Sequence, residues 1–325
     1  MKMIDNKTIW KGGRYTFRMT GRLIGTGSYV PDHYLSNEDI AKIVDTSDQW
    51  IRERTGVVRR HIVEEDTTAT MAVQAAKRAL EDASIQAEEI DLIIVSTIVS
   101  DVLMPCTACY VQNEIGAVNA VCFDLNAACS GFLVAYSTAL GYIEMGLAKK
   151  VLLIGTECMS KLLDWTDRST CILFGDGAGA AVIEAVDGAR ASICMHSDGS
   201  KGDSLLLPRN GTITMNGQDV FRFAVSKVPK VIKELLEQQQ KTAGEIDYFI
   251  LHQANKRIID AVAKRLQVEE SHFPCNIEEY ANTSSASIPI LLDELRKEGT
   301  LKKGQKIVLT GFGAGLTWGA VYMEI

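Results

Sequence analysis

Two copies of one α/β unit, stacked in five layers as α/β/α/β/α, make the fold that this 325-residue chain predicts. Three observations lead there. Segments recur at a constant spacing: Glu89-Ile90-Asp91-Leu92-Ile93-Ile94-Val95 returns as Glu245-Ile246-Asp247-Tyr248-Phe249-Ile250-Leu251, and 245 − 89 = 156. Lys150-Val151-Leu152-Leu153-Ile154-Gly155 returns as Lys306-Ile307-Val308-Leu309-Thr310-Gly311 at the same offset, and Asn126 to Ser130 falls on Asn282 to Ala286. The strand-like runs are continuously apolar rather than alternating, so both faces of each sheet are covered by helices. Right-handed crossovers then put the two sheets and their helices in layers.

The elements follow in order. Residues 1–18 lack the apolar core of a targeting signal and are read as a flexible extension or an upstream start. Met19-Thr20-Gly21-Arg22-Leu23-Ile24-Gly25 opens the first strand, and an amphipathic helix runs around Lys77 to Glu81, matched by one around Lys233 to Glu237. Leu92–Val95 and Val151–Ile154 are buried strands. Between them an apolar run ends at Cys129, and a helix over residues 130–146 follows with only Ser130, Ser137, Thr138 and Glu144 as polar interruptions. Such a helix is buried nearly all round. The chain therefore divides into residues 1–18, an N-terminal half over 19–190 and a C-terminal half over 191–325.

Bulk properties narrow the function. Apolar content of 46% and charged content of 23% are ordinary for a soluble enzyme. A net charge of −7 argues against general nucleic-acid binding, and the absence of a long apolar span argues against membrane insertion. Eight cysteines, with Cys122, Cys171 and Cys194 in strand-like apolar runs, fit a reducing cytoplasm better than a disulfide framework. Cys106 and Cys109 form a lone C-x-x-C without a second pair, so no metal is expected; the two share a helix face. Gly175-Asp176-Gly177-Ala178-Gly179 lacks the spacing of a nucleotide loop.

Cys129 carries the chemistry. It stands in Asp124-Leu125-Asn126-Ala127-Ala128-Cys129-Ser130-Gly131-Phe132, where small neighbours admit a bulky substrate. The positive end of the following helix favours the thiolate, the form that attacks carbonyls. In the second copy, His252 lies at a strand end and Asn282 where the partner of the Cys129 turn belongs. Ligands of α/β sheets bind beyond the carboxyl ends of strands, so the clusters of both copies can meet in one cleft. Singly, each residue has a plain structural reading: a small core cysteine, one histidine of five, a turn asparagine. Jointly, on a duplicated frame, they point to catalysis.

Asn126-Ala127-Ala128-Cys129-Ser130-Gly131-Phe132, His252-Gln253-Ala254-Asn255-Lys256-Arg257 and Ala281-Asn282-Thr283-Ser284-Ser285-Ala286-Ser287-Ile288-Pro289 resemble the β-ketoacyl-[acyl-carrier-protein] synthase III family of the thiolase-like superfamily. Asp45 to Ile51, Arg54-Thr55-Gly56, Phe174 to Gly179 and Gly311 to Gly319 extend the resemblance over residues 19 to 325. It implies the thiolase-like fold and the initiating condensation of type II fatty-acid synthesis: acyl-coenzyme A acylates Cys129, malonyl-carrier protein loses carbon dioxide, and the enolate attacks the acyl group. The resemblance assigns His252 and Asn282 as hydrogen-bond donors to the enolate oxygen. The backbone N–H groups of Cys129 and Ala314 become the oxyanion hole.

The same resemblance assigns Thr46, Trp50, Arg54 and Arg168 to the adenine and phosphate end of coenzyme A, Gly217 and Asn255 to pantetheine, and Phe312 with Met104 to the acyl pocket. An aromatic plane beside a guanidinium suits a purine. Arg222, Lys256, Arg257, Lys264 and Arg265 suit an acidic carrier protein, although a solvated helix face explains Lys264 and Arg265 equally well. Strict acetyl-primed members carry phenylalanine at the Met104 position, reaching across a homodimer. Methionine there implies a pocket that also takes longer or branched primers. No cofactor is implied beyond the thioester substrate. Rival readings are a Cys-His-Asn enzyme of a specialised polyketide, quinolone or long-chain ketone pathway and, more remotely, a non-catalytic acyl-binding partner subunit.

Overall fold

Leu92 and Val151 face each other across a parallel strand pair, and so do Tyr248 and Ile307, each 156 residues further on. The duplication is therefore structural down to its register. The computed structural model describes residues 19–187 and 192–325. The expected extension over 1–18 and the boundary between residues 190 and 191 lie outside the described residues.

The first sheet runs, in spatial order, Met19–Tyr29, Gly177–Asp187, Lys150–Glu157, Leu92–Ser96 and Val121–Leu125. Its first three strands pair antiparallel and its last three parallel. The second sheet runs Tyr248–Leu251, Lys306–Gly313, Thr317–Glu324 and Ser192–Ser197. Alternate side chains of each strand enter different clusters, as the apolar runs require. Leu92, Ile94, Leu153, Ile250, Ile307 and Leu309 pack on the two central helices, Gly131–Glu144 and Ser287–Lys297. Ile93, Val95, Leu152 and Ile154 face the outer helices Thr68–Ala83 and Thr107–Ile115. Phe249, Leu251 and Val308 face Gly217–Gln239 and Lys256–Leu266. Five layers result.

Strands Leu92–Ser96 and Tyr248–Leu251 begin 156 residues apart, as do Lys150–Glu157 and Lys306–Gly313 and the helices Gly131–Glu144 and Ser287–Lys297. Short 3-10 turns occupy Ala128–Ser130 and Ser284–Ala286, and both open on a left-handed residue, Ala128 at φ 47° and Ser284 at φ 51°. The two halves close on each other through equivalent glycines. A Cβ on Gly155 would stand 2.4 Å from the Ser285 carbonyl oxygen, and one on Gly311 would stand 3.3 Å from the Ser130 Cα. Each half's strand thus packs against the other half's turn, as a pseudo-twofold requires.

Two departures matter. Residues 158–176 join the paired strands of the first half, where only residues 314–316 do so in the second. This longer segment lies across the second half's turn, with Phe174 bridging to Asn282. It also holds Cys171 in the short helix Arg168–Cys171, so the strand expected there is corrected. The counterpart of Val121–Leu125 is the short helix Ile277–Tyr280, so Tyr248–Leu251 is the edge of the second sheet, whereas Val121–Leu125 is the edge of the first.

Candidate active site

Asn126 Oδ1 accepts from the Ala128 N–H at 3.2 Å, folding the chain into the turn that carries Cys129. Helix Gly131–Glu144 starts two residues later, so the sulfur sits at its N-terminal approach. The sequence favours a thiolate there; the structure does not. Burial pushes the Cys129 thiol up to about 11, and the charge of Glu157 adds to that, while a hydrogen bond from Ser284 opposes it. Burial thus works against the helix end and favours the neutral thiol.

His252 follows the strand Tyr248–Leu251, pinned by its N–H to the Thr310 carbonyl at 2.8 Å. Its Nδ1 lies 2.6 Å from Ser287 Oγ, whose single proton has a second acceptor in the Ser284 carbonyl at 3.0 Å. Delivery of the Ser287 proton to Nδ1 would leave Nε2 as the ring N–H, the tautomer that a donor role toward the cleft requires. Burial pushes the imidazole down to about 3, so it is neutral. Phe312 packs edge-to-face on the ring at 5.3 Å between centroids.

Asn282 repeats the device of Asn126. Its Oδ1 accepts from the Ser284 N–H at 2.9 Å, and its own N–H reaches the Leu173 carbonyl at 2.9 Å. With the amide oxygen committed, the Nδ2 hydrogens are what the side chain offers the cleft.

These three side chains line one cavity of about 1080 Å³. Cys129, His252, Asn282 and Phe312 are all buried, and Gly313 closes the wall beside the sulfur. Met215, Gly217, Phe221, Asn255, Trp50 and Arg54 line the rest, with Arg222 and Arg257. The depth holds an uncharged thiol, a ring N–H and an amide; the outer part is aromatic and cationic. A long thioester with a charged end matches that gradient.

The structure sorts the other expected residues. Trp50 has the Arg168 guanidinium 5.0 Å and the Arg54 guanidinium 5.8 Å from its ring centroid. Arg168 also donates to the Asp45 carbonyl at 2.7 Å. Asn255 caps helix Lys256–Leu266 and donates to the Arg54 carbonyl at 3.0 Å, so its polar atoms also hold the wall together. Thr46 is outside the cavity lining, its Oγ1 buried without a hydrogen-bond partner. Ala314 adjoins the lining through Gly313, and its carbonyl accepts from Thr317 Oγ1. Met104 is 85% exposed and away from this chain's own cavity.

Among the basic residues, Arg222 and Arg257 reach the cavity, whereas Lys256 pairs with Asp260 at 2.7 Å. Arg265 donates to the Val225 carbonyl, and Lys264 is exposed beside it. Cys106 and Cys109 do meet, sulfur to sulfur at 3.4 Å, and Cys109 lies equally close to Cys122.

Sequence reasoning missed Ser284, Ser287 and Glu157. Serines in a Ser-rich turn carry no distinguishing signal. Glu157 did: a carboxylate directly after the buried strand residues Val151 to Thr156 requires partners.

Residues 123–201 match the family described as 3-oxoacyl-[acyl-carrier-protein (ACP)] synthase III, and residues 236–325 match its C-terminal part. The β-ketoacyl-[acyl-carrier-protein] synthase III of Clostridium acetobutylicum is 47% identical over 317 residues, covering 93% of this chain and 98% of that protein. The crystal structure of 3-oxoacyl-[acyl-carrier-protein] synthase III from Aquifex aeolicus superposes with a TM-score of 0.92 at 45% identity, covering 94% of this chain and 100% of the other. The priming β-ketosynthase from the R1128 polyketide biosynthetic pathway superposes with a TM-score of 0.90 at 38% identity, covering 97% and 98%.

Proposed function

This chain belongs to the β-ketoacyl-[acyl-carrier-protein] synthase III family, and on that premise we propose how its own residues carry the family's reaction. The enzyme condenses an acyl-coenzyme A with malonyl-acyl-carrier protein, releasing carbon dioxide and giving a 3-oxoacyl-carrier protein. One observation carries the assignment of residues: the equivalent turns of the two halves and the end of strand Tyr248–Leu251 bring Cys129, Asn282 and His252, all buried side chains, onto one cavity.

Cys129 sulfur attacks the thioester carbonyl, and coenzyme A leaves with the thiol proton. The tetrahedral oxyanion takes the backbone N–H groups of Cys129 and Ala314. Malonyl thioester then enters the emptied cavity and loses carbon dioxide. Its enolate oxygen accepts from His252 Nε2–H and Asn282 Nδ2–H. Both donors are neutral, so they stabilise the enolate without protonating its carbon. Attack on the acyl group returns Cys129 to the free state.

Trp50, with Arg54 and Arg168, receives the adenine and phosphates; Gly217 and Asn255 flank the pantetheine arm. Arg222 and Arg257 receive the acidic carrier protein. A homodimer is the working assembly, supported by the bare edge of Val121–Leu125 beside exposed Leu103, Met104 and Val121. Met104 then shapes the partner's acyl pocket and admits primers longer than acetyl. Among the described residues no helix is long and apolar enough to cross a membrane, and all eight cysteines are free thiols, which suits a cytoplasmic enzyme. Likeness to a priming ketosynthase supports a second reading, in which the same chemistry serves a polyketide carrier protein.

Mass spectrometry after incubation with acetyl-coenzyme A tests the assignment. A single acyl adduct is expected on Cys129, absent from Cys129→Ala. An adduct on another cysteine overturns it.

A further inference from the structure

Glu157 is wholly buried at the seam between the halves, and no step above uses it. It ends the strand Lys150–Glu157, next to the turn Ser284–Ala286 of the other half. Residues of its own half hold one side of the carboxyl group: Oε2 accepts from Thr97 Oγ1 at 3.2 Å and from the Ile98 N–H at 3.0 Å. On the other side, Oε1 accepts from Ser285 Oγ at 2.8 Å and from Ser284 Oγ at 3.2 Å. The carboxyl group therefore ties the second half's turn to the first half.

That turn is the common support of both enolate donors. The Ser284 N–H holds Asn282 Oδ1 at 2.9 Å, which leaves Nδ2 for the cleft. Ser287 Oγ stands 3.0 Å from the Ser284 carbonyl oxygen and 2.6 Å from His252 Nδ1, so the ring rests on the same residue. Ser284 itself is left-handed, at φ 51°, a conformation that a residue with a Cβ keeps only where its surroundings impose it. The Cys129 turn is held by other bonds: the Ala128 N–H to Asn126 Oδ1, and Ser130 Oγ at 2.9 Å from Thr317 Oγ1.

The duplication sharpens the contrast. The residue 156 positions after Glu157 is Gly313, and the one 156 positions after Cys129 is Ser285. Beside the nucleophile, glycine leaves room for the cavity; at the twin place, a carboxyl group fills the space and grips a hydroxyl.

We propose that Glu157 is a positioning residue for the condensation step. Through the hydroxyls of Ser284 and Ser285 it fixes the turn that aims Asn282 Nδ2 and His252 Nε2 at the enolate oxygen. This deepens the reaction proposed above and rests on its assignment of those two donors. Glu157 is outside the cavity lining, so it acts through the residues it holds.

The two half-reactions, read separately by mass spectrometry, test this. Single-turnover acylation from acetyl-coenzyme A is followed by clearance of the Cys129 adduct over a range of malonyl-carrier protein concentrations. Glu157→Ala should acylate within about threefold of the parent, since the Cys129 turn has its own bonds. It should clear the adduct about 10- to 100-fold more slowly at saturating malonyl-carrier protein with little change in KM, because misaimed donors lower kcat rather than binding. Glu157→Gln keeps an oxygen for the two serines and should stand between Glu157→Ala and the parent. An equal loss in both half-reactions, as a merely structural role would give, or parent-like clearance by Glu157→Ala overturns the proposal. If Glu157→Ala does not fold, Ser285→Ala, which removes the shortest of the four contacts, is read in the same way. Parent-like clearance by His252→Ala and Asn282→Ala instead overturns the donor assignment itself, and the proposal with it.

Discussion

A methyl group built on Gly313 would stand 2.7 Å from the Cβ of Cys129. The end of strand Lys306–Gly313 in the second half thus reaches the first half's nucleophile at a distance that only a hydrogen atom allows. This contact brings the Gly313-Ala314 backbone beside the sulfur, where a developing oxyanion needs donors.

Gly313→Ala should therefore push the loop away from Cys129. Loss of one oxyanion donor predicts an acylation rate about 100-fold lower, and overpacking a tight site costs about 1–3 kcal/mol of stability. Single-turnover acylation and urea unfolding measure the two effects. Parent-like acylation would remove Ala314 from the oxyanion hole.

His252 makes stability depend on pH. Its ordinary value is 6.5, and burial takes it to about 3 in the folded state. Between those values the unfolded chain binds a proton that the folded chain refuses. The group's contribution is complete above pH 6.5 and drains away as pH falls toward 3. Across pH 6.5 to 4.5 the parent should lose about 2 kcal/mol more than His252→Gln. Equal slopes in urea titrations would mean that the imidazole is not held neutral by burial.

Much of this was legible before any coordinates. The constant offset found the duplicated frame because strand and helix cores bury the same way in both halves, which preserves apolar type. It also located the Asn126 and Asn282 turns, whose amide oxygens each accept from the N–H two residues on. The offset ends at Gly313, since residues 314–316 replace the long connection 158–176 and leave no echo to read. Ile277-Glu278-Glu279-Tyr280 lacks the apolar run of its counterpart and forms a helix instead of a strand. At Cys129 the sequence shows the helix start, which favours a thiolate, and hides the depth of burial, which opposes it. Ser284 and Ser287 become significant only through what they touch.

Trp50 should govern substrate affinity without touching the chemistry. Base–aromatic stacking of about 1–3 kcal/mol predicts that Trp50→Ala raises KM for acyl-coenzyme A by about 10- to 100-fold with kcat unchanged. Steady-state kinetics decide this. An unchanged KM would make Trp50 a packing residue.

Val121 is 61% exposed at the open sheet edge. Val121→Lys puts a charge where the homodimer would join and should shift sedimentation toward monomer. If Met104 shapes the partner's pocket, the parent should turn over acetyl-, isobutyryl- and hexanoyl-coenzyme A, and Met104→Phe should narrow this to acetyl. Unaltered selectivity would separate Met104 from the acyl pocket.

Catalysis by both halves at one cavity is tested most directly by separating the two half-reactions. His252→Ala and Asn282→Ala are each loaded with acetyl-coenzyme A and then given malonyl-carrier protein, with mass spectrometry following the Cys129 adduct. The expected outcome is normal acylation of both variants and an adduct that persists, with 3-oxoacyl product formed at least about 100-fold more slowly. An adduct cleared at the parent rate by either variant would contradict the enolate role of that residue and the shared site with it.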